Sequence, residues 1–342
     1  MLNKIQFNKS NELKMKGLVL LIFVGLMLSS VKSYEQDNWS NVDFSKKYKA
    51  NFKLKGKTVK QLKKHKTFVN NFEVKQAIVA KGSERSSVLQ PGDPKAIYSD
   101  AGLVGIQKNA YQQMVNRLYN QFVKGLVDIG LEVTNGDEVL DLPYVKKQVA
   151  KGKKSTIVGN TGNDPGYEGK RKVGYDRIEG YGGEGAVKND YSIPPQNVNR
   201  CITTNLIKSG FFYGKIANEG FNLLNVRYYV NFVSFNARSS YKSIGLETTP
   251  VISVNVVIDY YGPKDALQTF TYQKTIFSTN TSWIKNVRKV KDNSSDAAFF
   301  GFAPSFGYEI EADSDAYIAE LESILTNLQK DIIKNLKNGL NK

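Results

Sequence analysis

The run PVISVNVVIDYYGPKDALQTFTYQKTIFS, Pro250 to Ser278, decides the fold. Pro250 to Tyr261 is rich in β-branched and aromatic residues, as is Gln268 to Ser278, and such segments suit half-buried strands. Gly262-Pro263-Lys264-Asp265 stands between them, and this turn chemistry predicts an antiparallel hairpin. A third β-rich run, Asn225 to Phe235 (NVRYYVNFVSF), precedes it. Far upstream, Thr67 to Val79 (TFVNNFEVKQAIV) reads as a further strand with alternating faces.

Helices flank these strands. From Gln107 to Ile129, apolar residues recur at three- and four-residue steps (Ala110, Tyr111, Met114, Val115, Leu118, Phe122, Leu126), predicting an amphipathic helix stopped by Gly130. Leu131 to Val133 reads as a short strand entering an Asn135-Gly136 turn, and Pro143 opens a shorter helix through Ala150. Pro194 and Pro195 are expected to introduce a helix carrying Val198, Ile202, Leu206 and Ile207, capped by Gly210. A last helix from about Ser314 to Leu336 shows one stripe of Ile318, Leu321, Ile324, Leu325, Leu328 and Ile332. This order predicts an α/β (α+β) fold, a mixed sheet with helices packed mainly on one face.

Residues 151–192 interrupt the rhythm. Glycines alternate there with Tyr167, Tyr175, Tyr181 and Tyr191, and the stretch is expected to be a long loop or insertion between an α/β half at 67–150 and a second at 193–340. Residues 34–66 are polar and basic and read as a poorly ordered leader or an edge segment.

The first 33 residues have the three parts of a secretory signal: Lys4, Lys9, Lys14 and Lys16, an apolar run from Gly17 to Leu28, and a small-residue exit. A membrane span needs about 20 apolar residues, so the expectation is a cleaved signal, cut after Ser30 or, preferably, Ser33. The only cysteine is Cys201, far from that exit, which argues against lipid attachment there and excludes an intramolecular disulfide. Removing the segment's five Lys and one Glu takes the formal charge from +16 to +12. For an exported chain that charge suits anionic envelope polymers rather than nucleic acid.

Chemistry-bearing motifs are weak. Gly180-Tyr181-Gly182-Gly183-Glu184-Gly185 fits G-x-G-x-x-G but lacks the strand before and the helix after. Gly152-Lys153-Lys154-Ser155-Thr156 lacks a phosphate loop's upstream glycine. His65 is the single histidine and sits between lysines, which leaves no histidine-based metal cluster and no Ser-His-Asp triad. Cys201 reads as a packed helix residue. Asp137, Glu138 and Asp141 gather near a turn; Glu309, Glu311, Asp313 and Asp315 precede the last helix, where capping and solvation explain them better than a weak Ca²⁺ site. No catalytic residue, cofactor or metal is expected. The candidate partner-binding residues are Tyr167, Tyr175, Arg177, Tyr181 and Tyr191, whose rings and charges suit stacking and cation–π contact, against the alternative of an excursion with no partner.

Phe122 to Val133, a helix ending F-x-x-G-L-x-x-x-G-L-E-V before an acidic turn, resembles the periplasmic domain of the curli secretion channel and its relatives. Val254-Asn255-Val256-Val257 and Lys274-Thr275-Ile276 are similar to that family's strand–turn–strand. The same rhythm is similar to the N-terminal domain of the Tol-system periplasmic protein. The chain departs from the channel family in having Gly262-Pro263 in the turn, no lipid-attachment cysteine, and no clear pair of membrane-crossing hairpins. The resemblance implies an envelope assembly or secretion role without catalysis. The expectation is therefore a non-enzymatic exported envelope protein, periplasmic or outer-membrane associated, whose partners are other envelope proteins, anionic polymers or copies of itself. A secreted carboxylate-dependent hydrolase and a subunit of an oligomeric outer-membrane channel are the alternatives.

Overall fold

A computed structural model describes residues 39–85, 96–151, 156–163, 168–172, 186–203, 206–240, 243–290 and 307–342. After a 3₁₀ turn at Trp39–Asn41 come α1 (Phe44–Lys47), β1 (Ala50–Asn51), α2 (Gly56–Lys64), β2 (Lys66–Arg85), β3 (Ala96–Val104), α3 (Lys108–Asp128) and β4 (Val133–Thr134). Then follow α4 (Asp137–Leu140), α5 (Pro143–Ala150), β5 (Thr156–Asn160), β6 (Glu168–Lys172), β7 (Ala186–Ile193), β8 (Asn199–Thr203) and α6 (Leu206–Asn218). The chain closes with β9 (Phe221–Ser240), β10 (Ser243–Gly262), β11 (Ala266–Tyr272), β12 (Ile276–Phe277), β13 (Ile284–Lys289), β14 (Tyr308–Ala312) and α7 (Ser314–Leu340).

Among these residues, twelve strands form one mixed sheet, ordered β1-β11-β10-β9-β2-β3-β14-β13, with β4 and β7 beside β2, β6 on β7 and β12 on β10. β5 and β8 form a separate pair. The hairpin expected across Gly262-Pro263-Lys264-Asp265 is β10–β11. Its three-residue connection, Pro263 to Asp265, places Lys264 and Asp265 at φ 58° and 57°, left-handed conformations that bring Ala266 N back to Pro263 O at 3.4 Å. The expected strand 268–278 is interrupted: β11 ends at Tyr272, and Ile276–Phe277 returns to pair with Ser253–Val254.

Alternation splits the sheet's side chains between two apolar clusters. Leu224, Val226, Tyr228 and Val230 of β9 join Val254, Val256, Ile258 and Tyr260 of β10 on one face, under α3 and α7. On β2 the parity changes: Val69 and Phe72 both enter this face because a bulge at Val69/Asn71 inserts a residue. Asn70 beside the bulge is fully buried, and it donates to Asn225 Oδ1 at 2.8 Å while accepting from Cys201 N at 3.0 Å. Each large aliphatic side chain buried here contributes about 1.5–3 kcal/mol relative to exposure.

The two long helices match the apolar stripes in the sequence. Tyr111, Met114, Leu118, Phe122 and Leu126 of α3 are buried beside Leu321, Ile324, Leu325, Leu328 and Ile332 of α7. Arg117 grips Glu322 through two bonds of 2.7 Å across the helix pair. Beneath them Gln76 of β2 is buried, and its Oε1 accepts from both Tyr111 (2.9 Å) and Tyr317 (3.0 Å). On the opposite face, smaller α4, α5 and α6 cover Phe68, Phe221 and Leu223 with Val139, Val145, Phe212 and Ile216. No helix among the described residues is long and apolar enough to cross a membrane.

Three expectations change, and a fourth resolves to one of its two alternatives. The basic segment is an edge segment rather than a poorly ordered leader: it is structured from Trp39 onward, Trp39, Phe44, Tyr48, Phe52 and Leu62 are buried among its lysines, and β1 pairs with β11 at the sheet edge. Trp39 Nε1 donates to Glu320 of α7 at 2.9 Å, Ser45 Oγ to Asp331 at 2.5 Å, and Leu54 lies so close to Gly339 that an added Cβ would come within 2.6 Å. The helix expected after Pro194-Pro195 is strand β8, and the helix starts only at Leu206, running past Gly210. Ile202 and Thr203, both β-branched, favour an extended strand over the helix that the wider apolar spacing suggested. The stretch 151–192 is not one loop, since it supplies β5, β6 and β7. Its β7 pairs with β2, and β2 pairs with β9, so the two expected halves share a single sheet and Asn38–Lys342 forms one unit.

Candidate functional site

A cleft of about 580 Å³ opens where α3, the β4–α4 turn, the end of β5 and the segment 195–199 meet. Side-chain carboxamides line it. α3 contributes Asn116 and Asn120, one helical turn apart on its polar side, together with half-buried Tyr119, whose ring edge packs on Phe72 at 5.6 Å between centroids. Burial raises the Tyr119 phenol above its ordinary pKa, so it is neutral at physiological pH.

The β4–α4 turn contributes Asn135 and Asp137. Asn135 Oδ1 accepts from Asp137 N at 3.1 Å, an Asx turn, and Asn135 Nδ2 donates to Asp137 Oδ2 at 2.6 Å. Gly136 between them has φ +90°, and a Cβ there would lie 2.2 Å from the Phe68 ring. Only glycine makes this turn. Asp137 also sits in the first turn of α4, where negative charge is favoured.

The third wall is Gln196 to Asn199, held by three local devices. Asn116 Nδ2 donates to Gln196 Oε1 (2.6 Å), and Asn116 Oδ1 accepts from Gln196 N (2.9 Å). Thr161 Oγ1 donates to Pro195 O at 2.8 Å and accepts from Val198 N at 3.0 Å. Asn197 takes a left-handed φ of 54°, a conformation asparagine tolerates. Asn199 Nδ2 then donates to Asp137 Oδ1 at 2.6 Å and to Asn135 O at 3.2 Å, tying this wall to the turn. Asn160 closes the circuit at the end of β5.

Chemically, the lining presents donors and acceptors in alternation, one aromatic ring and, among the described residues, a single carboxylate. Asp137 is already engaged by two asparagine amides. Such a surface can hydrogen-bond hydroxyl and amide groups.

A second polar assembly lies on the sheet face away from α3 and α7. Glu73 is buried and accepts from Ser192 Oγ, with Lys75 Nζ at 3.3 Å; Arg227 pairs with Asp259, which also accepts from Thr269 at 2.8 Å. Burial would raise the Glu73 pKa, but Lys75, Ser192 and Arg227 outweigh it and hold the carboxyl below its ordinary value. Buried Asp190 also acts on Lys75, so cations and carboxylates are interleaved across β2, β7, β9 and β10, the arrangement of an internal tie.

Of the five partner-binding candidates, Tyr191 lies on β7 at 7 % exposure, inside the main apolar cluster and off the surface. Tyr167, Tyr175, Arg177 and Tyr181 lie outside the described residues, as do Gly180–Gly185 and residues 152–155. Cys201 is packed, as expected, though on a strand; burial pushes its thiol up to about 12. In the second acidic group, Asp313 caps α7 by accepting from Ala316 N at 3.1 Å, as expected, whereas Glu309 is buried and bound by Arg288 at 2.6 Å rather than solvated. No group of three or more His, Cys, Asp or Glu among the described residues is arranged to hold a metal.

Apart from Asp137 and the Asn135-Gly136 turn, the cleft residues were not singled out from the sequence, because asparagine reads first as a turn former. The pattern Asn116/Asn120 on one helix and the run Pro195-Gln196-Asn197-Val198-Asn199 were the available signals. No protein-family model matches the chain, and neither does any curated protein or solved structure.

Proposed function

We propose that the chain is a non-enzymatic, exported component of the cell envelope that works by binding, and that the carboxamide-lined cleft holds its ligand, a neutral saccharide chain. The observation that carries this is the lining itself: Asn116, Asn120, Asn135, Asn160, Gln196 and Asn199 around one tyrosine and one carboxylate. Each carboxamide both donates and accepts, which matches the paired character of sugar hydroxyls and acetamido groups. A half-buried tyrosine adds an apolar surface for a pyranose face. The basic amino-terminal segment with its apolar run supports export, and the similarity to envelope assembly proteins supports the setting.

The test is calorimetric titration with a defined probe, tri-N-acetylchitotriose. Saturable binding that falls about tenfold in Asn120→Ala, the value of one lost hydrogen bond, is expected. No heat at millimolar probe, or equal binding by wild type and variant, would refute the assignment. The hydrolase alternative asks for two acids across one cleft. Among the described lining residues Asp137 stands alone, which favours binding.

A further inference from the structure

α5 and α6 pack against each other, with the Tyr144 and Phe212 rings 6.0 Å apart, and neither helix contains an acidic residue. Between them they carry Lys146, Lys147 and Lys215 among the described side chains, and Lys151 caps α5. Phe211 stands at 67 % exposure, the highest of the large apolar side chains described. Lys215 Nζ lies 4.5 Å from the Phe211 ring centroid and 5.2 Å from that of Tyr144, so a cation sits between two rings at the surface.

Exposing a phenyl ring to water is unfavourable, and a protein surface that does so inside a cationic field has the two features of an interfacial membrane contact. An aromatic side chain enters the headgroup boundary while lysines meet anionic headgroups, and neither alone is sufficient for stable attachment. Lys146 has a partner, Asp141 at 3.1 Å, but both are well exposed, so that pair is weak and easily exchanged for a phosphate.

We propose that the α5–α6 face is a peripheral docking surface for an anionic lipid bilayer, with Phe211 as the inserting anchor and Lys215 and the α5 lysines as the headgroup contacts. This goes beyond the saccharide reading and does not rest on it, because no residue of the cleft takes part.

The test uses the whole chain and vesicles of phosphatidylcholine with or without phosphatidylglycerol, some carrying brominated acyl chains. Phe211→Trp places a fluorophore at the anchor, while Trp39 and Trp283 are 5 % and 0 % exposed and serve as internal references. Bromine quenching of the new tryptophan only with phosphatidylglycerol present is expected. Phe211→Ser should lower partitioning about tenfold and Lys215→Gln about fivefold, with added salt abolishing the difference between the two lipids. Because Phe211 is exposed, unchanged urea midpoints will show that the variants are folded. Absence of quenching in the Phe211→Trp variant, or Phe211→Ser and wild type partitioning alike, overturns the proposal. So does a change in self-association with Phe211→Ser while vesicle binding is retained, since that makes the face a contact between copies. Chitotriose binding is measured on the same samples, so loss of either function is scored separately.

Discussion

Asn116 and Gln196 hold each other by two bonds, amide to amide at 2.6 Å and Asn116 Oδ1 to the Gln196 backbone N at 2.9 Å. A helix side chain thereby fixes the backbone of an irregular segment 80 residues away. Asn116→Ala is expected to lower stability by about 1–2 kcal/mol and to weaken chitotriose binding as the wall loosens. Asn120→Ala, at an exposed position on the same helix, should leave stability unchanged and affect affinity alone. Urea unfolding beside calorimetry separates the two; equal stability losses would show that the pairing does not set the wall.

Gln76 links the sheet to both long helices through Tyr111 and Tyr317. Removing one hydroxyl leaves Oε1 with the other donor. Removing both strands a buried acceptor. Tyr111→Phe and Tyr317→Phe are each expected to cost about 1 kcal/mol, and the double variant more than their sum, by about 1 kcal/mol. Additive unfolding free energies in a double-mutant cycle would contradict this.

Glu73 supplies an acid limb to the stability curve. Its folded pKa is lowered, so its contribution is fully present at neutral pH and is lost as pH falls below the unfolded value near about 4.3 and on through the folded one. Glu73→Gln should therefore be less stable than wild type at pH 7 and converge on it in acid. Urea midpoints measured from neutral to strongly acidic pH will show this; parallel curves would remove Glu73 as the source.

Cys201 is fully buried and its thiol is pushed up to about 12. Thiolate is the reactive form. A chromogenic disulfide reagent at mildly alkaline pH should leave the native protein unlabelled and titrate one thiol after denaturation. Rapid native labelling would mean that the strand pair β5–β8 opens readily.

Gly136→Ala combines a φ of +90° with a Cβ 2.2 Å from the Phe68 ring. The change is expected to destabilise by about 2–4 kcal/mol and to reduce saccharide binding through Asn135 and Asp137. A melting temperature within a degree of wild type would show that the turn relaxes freely.

How much of this could be read from sequence depended on whether one segment carried its own signal. α3 and α5 appeared within a residue of their expected ends, because Gly130 and Pro143 mark them locally. The segment 39–64 did not, since its buried aromatics are spaced singly among lysines and the strand that receives them, β11, lies more than 200 residues on. Strand β8 was mistaken for a helix for the same reason, its partner β5 being in the glycine-rich stretch. Asn255 and Thr275, one from each half of the strand–turn–strand, do meet, at 3.2 Å. The cleft was hidden because four separate segments build it, and none is distinctive alone.

The segment from Trp39 to Leu54 finds its partners on α7, through Glu320, Asp331 and the neighbourhood of Gly339. During synthesis these residues emerge 281 residues or more before the positions of α7 that they bond. Folding units complete only when all their parts are present. Docking of this segment therefore waits on α7, however early the strands between them pair.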